Sequence, residues 1–477
     1  MSSEASQAPI LVREGDILMD YDPEVQYRCT IIRGRAKNAM DDLLAAYASL
    51  IDELCPTTSE SFHEQFNERL NRILMGAKEK TLNNHRTEIA GKLFGMFHSD
   101  ESGTISPTDR TRKFLEDNDQ PAFFKDVCFK FQFPNGMDKP ATVKDRLSHG
   151  IRLRQFPYLI RFLLLSSIEG VEVTQSDVGY YILNSLHVLQ GRVRPEMVLA
   201  RLKADKKAGT VREVRADDYH QASYNRQHIR EQLNLLELAN LIKVDSEVVS
   251  LNMREKETLM YFAEFWDKPL PFDAYSYDFA DPISVKKFYR DWQEYYGSLS
   301  DGANRFSTKL DNLIKNLPEP SKPTTVELGD EGERVVFAYE VERVRAYNPR
   351  LATKVLLLGK TKGLGYDIQS VVAKDGLDSD FVKYIEVKAT KRVTIPDTQD
   401  PNWYDTVNLT RNEWVAATQH GRYYSIYRVY FTAEKTVIFV IENVNEKAEQ
   451  GLVRAVPIDY RLDFGHKSID QVMDLDE

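Results

Sequence analysis

The sequence predicts a multidomain chain, mainly α-helical over its N-terminal two-thirds and α/β over its C-terminal third. Three observations carry that reading. Apolar residues recur at intervals of three and four from Ala36 to Lys80, and again in several segments between Phe156 and Leu241. The run Leu317-Pro-Glu-Pro-Ser-Lys-Pro-Thr-Thr has no apolar period and reads as a linker. Beyond it, short runs such as Tyr384-Ile-Glu-Val-Lys alternate with helical patterns. A length of 477 residues agrees with two or three domains. The expected partition is a mainly helical domain over 1–150, a helical module with a hairpin over 151–316, a linker over 317–327 and an α/β domain with a mixed central sheet over 328–477.

Composition narrows the class. No apolar run approaches the roughly 18 residues that span a bilayer, and the start Met-Ser-Ser-Glu-Ala-Ser-Gln lacks a basic-then-apolar leader pattern. No membrane association is expected. Cys29, Cys55 and Cys128 are too scattered for a disulfide framework or a zinc site, so a reducing cytoplasm is expected. A net charge of −10 argues against a protein that coats nucleic acid, yet local basic patches on an acidic body still bind phosphates. No GxxxxGK[ST] occurs, so the chain carries no P-loop motor.

Taken in order, Val25–Arg33 has the residue types of a strand. Met40, Leu43, Leu44, Tyr47, Leu50, Ile51 and Leu54 line one helix, and Phe62, Phe66, Leu70, Ile73 and Leu74 a second, which Thr57, Thr58 and Ser59 can cap. A third helix is expected over Arg86–Phe97, then an exposed loop over His98–Pro107. Phe114, Phe123, Phe124, Phe129, Phe131 and Phe133 are expected core; base stacking is the weaker alternative. Helices follow from Phe156, from a Thr174 cap, from Pro195 and over Ile229–Leu241. The hairpin Ile242–Leu251 and a helix over Arg254–Phe265 come next.

Helices, a hairpin and a closing helix resemble a winged-helix module, which implies DNA contact through one helix and the hairpin. The basic residues beside it are Arg201, Lys203, Lys206, Lys207, Arg212 and Arg215, with Arg226, His228 and Arg230 opening the last helix. Lys206, Lys207, Arg226 and Arg230 are the candidate nucleic-acid contacts. A solvated charge run interleaved with Asp205, Glu213, Asp217 and Asp218 is the alternative, and a dimerisation module another. Pro269–Asp278 and Asp281-Pro282 read as an ordered connection before helices at Val285–Leu299 and Phe306–Asn316.

The last domain carries the chemistry. Gly329–Glu333 opens a helix to Tyr347, its acids suited to the positive helix end. Ala352–Leu358 is expected to be a strand. Residues alternate faces on a strand, so Glu386 and Lys388 share one side and Ile385 and Val387 the other. Asp367 precedes Glu386 by 386 − 367 = 19 residues, with the turn-rich Lys374–Asp380 between. An antiparallel hairpin would bring the two carboxylates beside the lysine. Such a set suits a hard divalent cation, whose bound water can attack a phosphodiester. Lys391 and Arg392 are candidate phosphate contacts. Thr410 and Glu413 have capping-box spacing, and Tyr423–Phe431 and Val437–Ile441 complete the sheet.

Asp367 with Glu386-Val387-Lys388 resembles the D…(D/E)xK core of the PD-(D/E)XK nucleases. Gly332-Glu333-Arg334, Gly365-Tyr366-Asp367-Ile368, Ile385-Glu386-Val387-Lys388 and Leu409-Thr-Arg-Asn-Glu-Trp together resemble the C-terminal domain of NO VEIN-type proteins, over roughly Leu328 to Asp463. That resemblance implies a restriction-endonuclease-like fold and a Mg²⁺-dependent, restriction-type DNA endonuclease in defence against foreign DNA, with Mn²⁺ tolerated. It implies Asp367 and Glu386 as metal ligands, Lys388 beside the scissile phosphate, and Glu333 as the helix carboxylate, with Glu340 in reserve. Asn412 then faces DNA, and Glu413 is a second reserve. A homodimer acting on double-stranded DNA is implied, with a cognate methyltransferase or defence complex as a possible partner. The alternatives are a nucleic-acid-binding protein whose nuclease-like domain is silent, and a nuclease for RNA or single strands.

Overall fold

The computed structural model describes residues 21–32, 37–74, 76–214, 222–306, 328–359, 364–400, 403–456 and 461–474. The linker over 317–327, all of the helix expected at Phe306–Asn316 except Phe306, and Arg215, Asp217 and Asp218 lie outside these. Contacts divide the chain into two compact units. One comprises 1–37, 47–114 and 121–308; the other comprises 38–46, 115–120 and 309–477. No helix among the described residues is long and apolar enough to cross a membrane.

The first unit is helical with two small sheets. Phe62, Phe66 and Leu70 fall on one face of the helix Ser59–Ile73 and are buried, and Thr58 accepts from the amide of Ser61 as its cap. The six expected core phenylalanines are all buried, several in edge-to-face pairs such as Phe94 with Phe124 at 5.5 Å. Thr174 and Asp177 form a reciprocal capping box, and Pro195 opens Pro195–Ala208. The helix Ala222–Leu238 leads into the hairpin Ile242–Asp245 with Val248–Leu251, then Lys256–Ala263. Two expectations fail here. His98–Pro107 is not loop throughout: Phe97–Ser99 and Thr104–Pro107 pair, the polar residues between them making the turn. Val25–Arg33 forms no strand in its described part, only a bridge from Gln26 to Ser185.

The second unit is built on a six-stranded mixed sheet. Its strands are β1 (Leu356–Leu357), β2 (Ile368–Val371), β3 (Val382–Lys391), β4 (Tyr404–Asn408), β5 (Tyr424–Phe431), β6 (Thr436–Glu442), β7 (Val453–Val456), β8 (Arg461–Gly465) and β9 (Gln471–Asp474). The main sheet runs β9-β6-β5-β3-β2-β1, and β7-β8-β4 form a second sheet. Only the β3–β5 pairing of the main sheet is parallel. The expected first strand shrinks to β1 because Ala352–Lys354 turns as a 3₁₀ helix.

Each sheet face has its own core. Helix α1 (Leu328–Tyr347) lays Val336 and Val344 against Ile385, Val387, Val429 and Ile438. Buried Gly332, Val336, Glu340 and Val344 recur every four residues along it, so they share a face. Helix α2 (Arg411–His420) sets Ala416 and Ala417 against Tyr424, Ile426 and Ile441 on the other side. Glu386 and Lys388 fall on the α2 face.

Candidate active site

Pairing of β2 with β3 sets Ile368 opposite Ile385, so Asp367 stands one step beyond, level with Glu386. The amide of Asp367 donates to the Ile385 carbonyl at 2.9 Å, and the Val387 amide donates to Asp367 Oδ2 at 2.8 Å. The turn before Asp367 depends on Gly365. Its φ is +75°, and a Cβ there would lie 2.5 Å from the Asn412 carbonyl oxygen and 2.8 Å from Ala416 Cβ. The Tyr424 hydroxyl donates to the Gly365 carbonyl at 3.0 Å. Thus β3, the Gly365 turn and the start of α2 converge.

At that point Lys388 Nζ lies 2.7 Å from Glu386 Oε1 and 2.9 Å from Glu413 Oε2. Glu413 Oε2 also accepts from the Thr410 amide at 3.0 Å, while the Glu413 amide donates to Thr410 Oγ1 at 3.3 Å. The capping box is therefore present, and it shares its carboxylate with the lysine.

The electrostatics are uneven. Burial pushes Glu386 well above the usual carboxylate range, with the Asp367 and Glu413 charges adding to it, although Lys388 opposes the shift. Burial likewise raises Asp367, against the Val387 amide, the Lys388 charge and a hydrogen bond from Glu386. Burial lowers Lys388, but Glu386 and Glu413 more than offset it, and the ammonium form is held. Two carboxyls that resist ionising together beside a lysine are a donor set short of positive charge. That deficit, and the hard oxygen donors, fit a divalent cation. Among the described residues no group of three or more His, Cys, Asp or Glu is arranged to hold a metal ion. A Mg²⁺ site seldom needs one, because the ion keeps waters and takes substrate oxygens.

Two further expected acids, Glu333 and Glu340, stand on α1. The Glu333 carboxylate lies against Gly359, where a Cβ would sit 2.0 Å from its Oε2. Gly359 follows Leu358, whose amide donates to the Asp367 carbonyl at 2.6 Å. Glu340 is on the α1 face, away from the trio. It is fully buried and accepts from Arg343 Nε at 3.0 Å and Nη2 at 2.7 Å, from Ser370 Oγ at 2.5 Å and from the Tyr427 hydroxyl at 2.7 Å. Burial would raise it, but the Arg343 bonds, the Lys383 charge and Ser370 bring it below its ordinary value.

Lys391 and Arg392, expected as phosphate contacts, are both buried. Lys391 Nζ faces Asp119 at 3.4 Å, and Arg392 pairs with Asp42 at 2.7 Å and Asp41 at 3.4 Å. Burial pushes Asp42 up to about 6 against the pull of Arg392. Asn412 is exposed at the start of α2. In the first unit Lys207 and Arg226 are exposed, Lys206 faces Asp177 at 3.3 Å and Arg230 pairs with Glu237 at 2.8 Å. Arg212 and Arg201 both turn to Asp205.

Sequence reasoning held Glu413 only in reserve and missed its bond to Lys388. The capping-box spacing fixed where the carboxylate starts; nothing in it told that the helix begins beside β3. The Arg343, Ser370 and Tyr427 partners of Glu340 were also missed, though Glu340 and Arg343 stand at helical i,i+3 spacing.

Comparison with known proteins separates the two parts of the chain. A family model described as restriction endonuclease BpuJI, N terminal, matches residues 21–293, more than half of the sequence. The chain belongs to that family. A solved structure described as "Crystal structure of pyrene- and phenanthrene-modified DNA in complex with the BpuJ1 endonuclease binding domain" is 51% identical. The likeness covers 58% of this chain and 100% of that one, with a TM-score of 0.57. A second family model, protein NO VEIN, C-terminal, matches residues 332–441. Asp367, Glu386, Lys388 and Glu413 all lie inside that span. No curated relative matches the chain.

Proposed function

We propose that the chain is a Mg²⁺-dependent restriction-type endonuclease, tolerant of Mn²⁺, of the PD-(D/E)XK kind. Its N-terminal unit, with a winged-helix-like module, binds double-stranded DNA, and its C-terminal unit hydrolyses a phosphodiester. The observation that carries this reading is the meeting of Asp367, Glu386 and Lys388 on adjacent strands, at the positions the NO VEIN model spans. Support for the DNA-binding half comes from the family match and from the 51% identical domain, described as bound to modified DNA.

Asp367 and Glu386 would hold the cation, with Glu333, whose carboxylate lies against Gly359, as the helix carboxylate that completes the site. The cation, when bound, offsets charge on the phosphate oxygens and makes its water a better nucleophile. Lys388 orients that water or neutralises the charge that builds on phosphorus oxygens. In hydrolysis an attacking water's oxygen would bond to phosphorus as the opposite P–O ester bond breaks, the water losing a proton to solvent and the leaving oxygen taking one up. Asn412, Lys206, Lys207, Arg226 and Arg230 are the proposed DNA contacts. Cutting both strands takes two such sites, hence a homodimer. A cytoplasmic setting, with a methyltransferase or defence complex as companion, accords with three free cysteines.

The test is supercoiled plasmid with Mg²⁺, comparing the wild-type chain with Lys388→Ala. Wild type is expected to linearise it, and the variant to lose roughly 10²–10³-fold in rate while both retard DNA in a gel. If neither cuts and both bind, the nuclease reading fails. The chain would then be a nucleic-acid-binding protein with a silent nuclease-like domain, a reading favoured by the relative being described as a binding domain. Cleavage of RNA or single strands alone would redirect the substrate.

A further inference from the structure

We propose that Glu413 is the positioning residue for Lys388, holding the ammonium in place with the same carboxylate oxygen that caps helix α2. This inference rests on the nuclease reading above.

Lysine is a compact charge on a flexible four-carbon stem. On β3 its nearest acid is Glu386, two residues back on the same face, at 2.7 Å. With that partner alone, the pair would tie up an oxygen that a cation needs, and the ammonium would swing free whenever Glu386 turned to the metal. Glu413 removes the difficulty. It reaches Lys388 Nζ from a different element at 2.9 Å, so the lysine keeps an anchor when Glu386 is engaged elsewhere.

That anchor is stiff for three reasons. The Thr410 amide binds Glu413 Oε2 and fixes the side-chain torsions. The reciprocal bond to Thr410 Oγ1 fixes the first helical turn. The turn itself is pressed against Gly365, where no Cβ fits, and Ala416 and Ala417 are buried in the core behind it. A lysine held by a helix start whose place is set by packing is preorganised, which is what a transition-state contact requires.

The experiment uses the full chain. Glu413→Gln keeps an oxygen to accept from the Thr410 amide, as glutamine does in capping boxes, and removes the charge. Thr410→Val does the reverse: it deletes the cap hydroxyl and leaves the carboxylate on Lys388. For Glu413→Gln we expect an unchanged melting temperature and unchanged retardation of plasmid DNA. Mn²⁺ affinity by calorimetry should fall several-fold, because Lys388 now leans wholly on Glu386, and the cleavage rate should fall roughly 10–100-fold, the usual scale for an outer-sphere partner. Thr410→Val should melt earlier but, because the Glu413 carboxylate still meets Lys388 and the Thr410 amide, lose far less activity than Glu413→Gln below its melting range. Wild-type rate and Mn²⁺ affinity in Glu413→Gln would overturn the proposal. So would equal activity losses in both variants, which would make the effect one of helix integrity. If wild type binds Mn²⁺ yet cuts nothing, the nuclease reading fails alone, and the affinity of Glu413→Gln still decides this one. If wild type binds no Mn²⁺, both fall.

Discussion

The two faces of the C-terminal sheet each bury a glutamate, and they treat it in opposite ways. On the α1 face Glu340 accepts four hydrogen bonds and its carboxyl sits below the ordinary value. On the α2 face Glu386 meets Lys388 and shares a hydrogen bond with Asp367, and burial drives its carboxyl far upward. Burial is nearly the same on both sides, Glu340 at 0% exposure and Glu386 at 3%, so burial does not explain the contrast. The donors aimed at Glu340, and the like charges of Asp367 and Glu413 beside Glu386, do. A buried charge whose acceptor sites are filled is a structural element; one left short of donors marks a candidate functional position.

The largest test of this contrast is Glu340→Ala. It removes the buried carboxylate that Arg343 and Lys383 face and should cost about 3 kcal/mol, read as the loss of unfolding free energy in a urea titration. Next is Tyr427→Phe, which removes the hydroxyl that donates to Glu340 and lies 3.1 Å from Lys383 Nζ. A loss of about 1–3 kcal/mol is expected, the range for a buried polar group left unsatisfied.

Glu386→Gln should do the reverse and raise stability at pH 7–8 by about 1 kcal/mol, the scale of relieving strain at a functional site, while abolishing cleavage. The pH dependence separates the two glutamates further. Glu386 has a raised folded value, so its ionisation is penalised as pH climbs above its ordinary 4.5. The gain from Gln should therefore shrink as pH falls and vanish near 4.5. Glu340 has a lowered value, so its contribution is present above 4.5 and is lost as pH falls through the folded value. A Glu386→Gln gain that stays constant with pH would break the comparison. The smallest effect is expected in the other unit. Lys207→Ala should weaken DNA binding uniformly across sequences and lower the salt slope of the affinity by about one.

How far the sequence revealed this arrangement depended on distance along the chain. Period-two alternation and the turn residues of Lys374–Asp380 were enough to place Asp367 beside Glu386, and the Thr410–Glu413 spacing was enough to place a helix start. Both are local signals. Lys391 and Arg392 show where that limit lies. Asp119 stands 272 residues before Lys391, and Asp41 and Asp42 lie farther still from Arg392, so no pattern around Thr390 foretells that both cations are buried. The Ala352–Leu358 strand failed for another reason: an edge segment with one neighbour gains little from pairing, and three residues turned as 3₁₀ instead. In the first unit the six phenylalanines read correctly as core, because dense aromatic content has few other stable uses.

Gly365 gives the sheet's α2 face a mechanical property. The loop that delivers Asp367 and the helix that presents Glu413 touch there without room for a single methyl group. Neither can drift without pushing the other, so one steric stop sets the gap between the acids on either side of the lysine. Slack introduced at this contact would loosen the whole cradle together, however sound each strand remained.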